Sequence, residues 1–178
     1  KQHIEMTRDI ALRFNHIYGE TFKIPEAHIS KDIPLLSGTD GRKMSKSYKN
    51  YIELFADEKA LQNSINKIVT DSLLPGEPKK TKDSVLFNYF KAFSSKEFLL
   101  EVEKMFLDGK GWGDLKKELF TLVNKELKIY REKYYHYLDN SNEVEKILIE
   151  GENKVSSLAE KKLSEIRKKV GIRALDEK

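Results

Sequence analysis

Apolar residues recur along this chain mostly at helical spacings. Between Lys1 and Tyr18, Ile4, Ile10, Leu12, Phe14 and Ile17 stand among Glu5, Arg8, Asp9 and Arg13, which predicts a helix with Gly19 as its C-cap. Thr21-Phe22-Lys23-Ile24 alternates polar and apolar before Pro25, the pattern of a short strand or edge segment. Pro34, Gly38, Asp40 and Gly41 mark residues 28–41 as turns and loop. Beyond that point the strand signal disappears. Asp57 is placed to cap a helix bearing Leu61, Ile65, Ile68 and Val69, and a Pro/Gly/Lys loop runs from Leu74 to Asp83. Helices are then expected from about Ser84, from Ser95 to Gly109, from Asp114 to Leu138 and from Asn142 to Val170. The architecture expected is mostly α: a remnant of an α/β unit over residues 1–55, then an all-helical bundle over 56–178.

Composition narrows the function classes. With 178 residues, 39% hydrophobic and 35% charged, the chain can bury a core under a heavily charged surface. The absence of cysteine removes disulfides, thiol catalysis and thiolate metal sites. His3, His16, His28 and His136 share no metal-ligand spacing, so a zinc site is not expected. No apolar run reaches the roughly 20 residues of a membrane span, and no leader pattern opens the chain, so the expected compartment is the cytoplasm. The opening inside a helix, without methionine or capping residue, reads as a fragment. The net charge of +4 is mild, but Lys154, Lys161, Lys162, Arg167, Lys168, Lys169 and Arg173 face only Glu160 and Glu165 near the end. This predicts a positive helix face, either a nucleic-acid surface or simply a solvated one.

One segment carries chemistry: Lys43-Met44-Ser45-Lys46-Ser47, preceded by Gly38-Thr39-Asp40-Gly41-Arg42. Two lysines three apart in a glycine-flanked loop put two mobile ammonium groups on one small platform. The serine hydroxyls and successive N–H groups can form an anion-binding nest. Such a loop suits a polyphosphate whose charge shifts during reaction, with the lysines stabilising charge on the leaving pyrophosphate. The Gly-x4-Gly-Lys spacing of a Walker A loop is absent. A lysine- and serine-rich solvent loop has the same composition.

The pentapeptide is identical to the KMSKS signature of class I aminoacyl-tRNA synthetases, and its flanks resemble the tryptophanyl-tRNA synthetase family. Lys1 to Asn15 resembles the helix after that family's G-x-D-Q motif, and Phe22-Lys23-Ile24-Pro25-Glu26 resembles the strand after it. Leu35 to Arg42 is similar to one bacterial version of the loop leading into the signature. Gly109-Lys110-Gly111-Trp112-Gly113, Lys116 and the run to Tyr134-Tyr135-His136 resemble the family's C-terminal domain.

The resemblance implies a tryptophan–tRNA ligase that activates L-tryptophan with ATP and Mg and transfers it to tRNA(Trp), working as a homodimer. Lys43 and Lys46 would be the catalytic phosphate ligands. Leu35, Met44, Ser45 and Ser47 would complete the ATP contacts, with Met44 equally readable as a packing plug. Trp112, with Lys161, Lys168 and Lys169, would meet tRNA; Trp112 could instead staple two helices. Tyr130, Tyr134, Tyr135 and Tyr137 read as core packing, and Lys79, Lys80 and Lys82 as a solvated loop. The family's HIGH-type motif and indole-reading residues have no equivalent here, so the chain alone is expected to be inactive. The alternatives are a tyrosyl-tRNA synthetase fragment and a non-catalytic RNA-binding helical module.

Overall fold

The computed structural model describes residues 1–28 and 36–172. The chain divides into two compact units, one of residues 1–31 with 140–178, the other of residues 32–139. The mostly helical architecture is observed: six helices, and no strand among the described residues.

In the first unit, α1 spans Gln2–Tyr18 and α6 spans Ser141–Val170. Residues 21–24 were expected to form a strand and do not. A strand is stable only with a ladder partner, and none of the described residues offers one. Side chains hold this segment instead. The Asn15 carboxamide accepts from the Thr21 and Phe22 N–H groups at 3.0 and 2.8 Å and donates to the Phe22 carbonyl at 2.7 Å. Phe22 sets its ring edge against Phe14, 4.8 Å between centroids. From α6, Lys162 and Lys169 donate to the carbonyls of Thr21 and Glu20 at 2.9 and 2.6 Å. α6 buries none of its residues; Leu148, Leu158 and Ile147 are exposed.

In the second unit, α2 (Glu58–Asn66), α3 (Val85–Phe93), α4 (Lys96–Leu107) and α5 (Trp112–Asp139) build one core. Asp57, Ser84 and Ser95 cap their helices through side-chain bonds to the N–H groups of Ala60, Phe87 and Phe98. Along α5 the buried positions Leu115, Leu119, Val123 and Leu127 recur every fourth residue. They meet Leu61 and Ile65 of α2 and Leu86 and Phe90 of α3 in the same core. The apolar stripe ends there, and Arg131, the next position in the series, is buried and donates to the Asn124 side-chain oxygen at 2.9 Å. Tyr130, Tyr134, Tyr135 and Tyr137, most of them expected in the core, are exposed. Tyr134 stacks on Phe55, 4.7 Å and 9° between rings, without becoming buried. Val69, expected on the face of α2, lies past the end of that helix and is exposed.

Lys79, expected in a solvated loop, is only 1% exposed. Its ammonium donates to the carbonyls of Leu74, Glu77 and Gly109 at 3.1, 3.0 and 3.2 Å and lies 5.3 Å from the Trp112 ring. Three acceptors satisfy its three N–H groups, which is how a buried ammonium is tolerated. Gly109 approaches the Gly76 backbone so closely that a Cβ would collide with it.

Candidate functional site

The Lys43–Ser47 segment is the outer part of a tight loop whose two arms are tied at the base. Ser37 and Lys43 form an isolated antiparallel bridge, and Gly38 N–H donates to the Arg42 carbonyl at 2.7 Å. Thr39 N–H donates to the Asn50 carbonyl and Val69 N–H to the Thr39 carbonyl, both at 2.8 Å. The Tyr89 hydroxyl, on α3, donates to the Ser37 carbonyl at 2.8 Å. Burial, and then the negative charge of Asp40, push the Tyr89 phenol above its usual pKa, so it stays a donor. The base of the loop is thereby fixed to the helical core.

Asn50 sits inside the turn, 3% exposed. Its side-chain oxygen accepts from Ser45 N–H at 2.8 Å, and its NH2 donates to Asp40 at 2.8 Å and to the Lys43 carbonyl at 3.2 Å. Gly38 packs against this amide so tightly that any Cβ would overlap the Asn50 side chain. Asp40 holds Arg42 in turn, Nε at 2.8 Å and a terminal nitrogen at 2.7 Å, and the guanidinium lies 4.5 Å over the Tyr48 ring. The hydrogen bond from Asn50, aided by Arg42, lowers the Asp40 carboxyl from 3.8 to about 2. The outer turn closes with Lys49 N–H on the Lys46 carbonyl at 3.1 Å and with Lys49 at φ 50°, a left-handed conformation uncommon for a lysine.

Lys43 and Lys46 are exposed, and among the described residues neither ammonium makes an ion pair or hydrogen bond. Two uncommitted cations thus stand on a base that is fully committed. Ser45 N–H is taken by Asn50, and Ser47 N–H by the Ser45 hydroxyl at 3.2 Å, so both amides of the expected nest are engaged within the loop. Met44 is exposed, and on the inner side Met44, Ser45 and Lys46 border an apolar cavity of about 460 Å³ that reaches Tyr89, Phe93 and Leu127. The structure brings together Lys43, Met44, Ser45, Lys46 and Ser47; Leu35 lies outside the described residues.

Trp112, expected on a loop between helices, is the first residue of α5 and half-buried. Its Nε1–H donates to Asp71 at 3.0 Å and its ring meets Phe106 edge to face at 5.6 Å. That is a staple between segments. Lys116 of the same helix donates to the Asn66 carbonyl at 2.8 Å, placing a cation at the C-terminus of α2, and burial lowers its pKa. On α6, Lys161 and Lys168 are exposed, while Lys169 is engaged with Glu20 and pairs with Glu165 at 3.7 Å. Among the described residues no cluster of three His, Cys, Asp or Glu side chains could hold a metal, and no helix is long and apolar enough to cross a membrane.

Asn50 is not marked by the sequence pattern, and Lys79 reads there only as part of a solvated loop. For Asn50 a signal existed: a small amide just past a glycine-rich turn is a residue type that satisfies loop amides.

A loop tied to the helical core thus displays two lysines that make no ion pair or hydrogen bond among the described residues. The family of tRNA synthetases class I (W and Y) matches residues 1–128, and the chain belongs to that family. It is 47% identical over 174 residues to the tryptophan–tRNA ligase of Neisseria meningitidis serogroup A, covering 98% of this chain and 52% of that protein. It is 44% identical over 176 residues to the tryptophan–tRNA ligase of Pseudomonas syringae pv. tomato, covering 97% and 39%. The crystal structure of tryptophanyl-tRNA synthetase from Campylobacter jejuni complexed with ADP and tryptophan superposes with a TM-score of 0.82 at 38% identity, over 96% of this chain and 54% of that one. The chain spans about half the length of these relatives or less.

Proposed function

We propose that this chain is the signature-loop and helical part of a tryptophan–tRNA ligase. The observation that carries the reading is the pair of ammonium groups, Lys43 and Lys46, uncommitted among the described residues, on a loop anchored at its base. In this reading tryptophan's carboxylate attacks the α-phosphate of ATP. The bond to the β,γ-phosphates breaks, pyrophosphate leaves with its Mg ion, and tryptophanyl-adenylate then esterifies the 3′ end of tRNA(Trp). Charge grows on the departing pyrophosphate in the transition state, and Lys43 and Lys46 would meet it there. Mg would arrive with the nucleotide as part of the substrate.

Residues 1–55 would belong to the catalytic domain and residues 56–178 to the tRNA-holding bundle, in a cytoplasmic homodimer. Leu35, Met44, Ser45 and Ser47 would line the nucleotide, and Trp112, Lys161, Lys168 and Lys169 the RNA. Tryptophan is favoured over tyrosine because both ligases and the solved structure named above are tryptophan enzymes. A purely RNA-binding module would have no use for the paired lysines.

The test is tryptophan-dependent pyrophosphate exchange in the full-length ligase and in Lys43→Ala and Lys46→Ala. Each substitution should slow adenylate formation by about 10²–10³, some 2–4 kcal/mol, while leaving tryptophan affinity unchanged. Unchanged rates with weakened tryptophan binding would assign the loop to the wrong step. The 178-residue chain alone should give no exchange above background.

A further inference from the structure

A loop that must present two cations needs something to hold its main chain. The inner face of Met44–Lys46 borders the 460 Å³ cavity, and Met44 itself is exposed. Besides the Ser37–Lys43 bridge at its base and the Lys49 bond to the Lys46 carbonyl, one side chain ties the peptide groups around Met44. Asn50 takes the N–H of Ser45 and gives to the carbonyl of Lys43, the two residues flanking Met44, and its other bond reaches Asp40. Only a primary amide does all of this. It offers two donors and an acceptor within one plane, whereas a carboxylate lacks the donors and an aliphatic side chain lacks everything. Gly38, which leaves room for that amide, and the Thr39 bond to the Asn50 carbonyl put the same residue at the foot of both arms.

We propose that Asn50 is a positioning residue: by fixing the peptide groups on either side of Met44 it sets the directions in which Lys43 and Lys46 leave the loop. It touches no phosphate and acts through the two lysines. The inference rests on the function proposed above, because only there does the direction of those ammonium groups decide a rate. A misplacement of about 1 Å at a reacting centre is worth roughly 10² in rate.

Two measurements test it. In the 178-residue chain, amide hydrogen exchange should find Ser45 N–H protected, and Asn50→Ala should abolish that protection while leaving core amides such as Leu119 and Val123 slow. In the full-length ligase, Asn50→Ala and the near-isosteric Asn50→Asp should lower kcat for adenylate formation about 10²-fold. Tryptophan affinity should stay near that of the parent, and the thermal midpoint should fall only by what the lost loop bonds cost, leaving both variants folded at the assay temperature. Asn50→Asp keeps the side-chain volume, so it carries the test if the alanine variant does not fold. Wild-type kcat in either folded variant would overturn the proposal. So would unaltered Ser45 protection, or a uniform loss of protection throughout the core, which would mark a purely structural amide. If the unsubstituted ligase shows no tryptophan-dependent exchange, the proposed function fails, and the Ser45 measurement still decides what Asn50 holds.

Discussion

Lys79 and Lys43 are the same residue type in loops of similar composition, yet one is buried and saturated and the other is exposed, without an ion pair or hydrogen bond among the described residues. The difference is made by partners distant in sequence. Gly109, thirty residues away, brings one of the three carbonyls that receive the Lys79 ammonium, and Trp112 covers it. Nothing within the Lys79-Lys80-Thr81-Lys82 run announces that arrangement, so its burial was not legible there. The consequence is measurable. Lys79→Met keeps most of the volume but takes the ammonium from three inward carbonyls. Those of Leu74 and Gly109 keep the N–H groups of Glu77 and Gly76, whereas that of Glu77 is left without a donor, at about 1–3 kcal/mol for an acceptor that cannot be rehydrated. We expect a loss of about 1–3 kcal/mol in urea denaturation at neutral pH, against less than about 0.5 kcal/mol for Lys80→Met on an exposed side chain. Equal effects of the two substitutions would show that water already satisfies the Glu77 carbonyl.

At the scale of elements, what was legible is what is decided locally. The caps Asp57, Ser84 and Ser95 and the four-residue stripe of α5 involve neighbours in sequence, and helices stand where those signals placed them. The segment 21–24 has strand alternation but no strand, because pairing is a long-range property. The exposed tyrosines of α5 teach the same lesson: periodicity says which side chains share a face, not whether anything covers it. The signature loop lies between these cases. Its two lysines were evident from type and spacing, but Asn50, Gly38 and Tyr89 become its scaffold only in three dimensions. The Asp40 carboxyl gives that scaffold a pH dependence. Its folded pKa of about 2 lies below the ordinary 3.8, so its contribution is fully present above about pH 4 and is lost as pH falls toward 2. Protection of Ser45 N–H should therefore hold unchanged from pH 7 to 4 and decay below that, whereas in Asp40→Asn the acid decay should vanish. A loop that loosens between pH 7 and 5 would point to a different titrating group.

For the molecule as a whole, the remaining question is which cations meet RNA, and the first unit already separates them. Lys169 spends its ammonium on the Glu20 carbonyl and Glu165, and Lys162 spends its own on Thr21 and Glu165. Lys154, Lys161, Arg167 and Lys168 are exposed, and of these Lys161 and Lys168 flank the committed Lys162 and Lys169. If α6 contacts tRNA(Trp) phosphates, log affinity should fall with log salt by about 0.7–0.9 for every phosphate neutralised. Lys161→Ala with Lys168→Ala should flatten that slope, and Lys169→Ala should change it least while loosening residues 20–22 by hydrogen exchange. Trp112→Ala separates two roles in the same titration. A ring that only staples Asp71 and Phe106 costs folding stability when removed and leaves tRNA affinity alone once the melted fraction is accounted for. A ring that also stacks on a base weakens binding by about 1–3 kcal/mol at every salt concentration, with the slope unchanged. If the Lys161/Lys168 double variant binds tRNA as the parent does from low to high salt, the basic face of α6 is a solvated surface, and RNA is held by residues elsewhere.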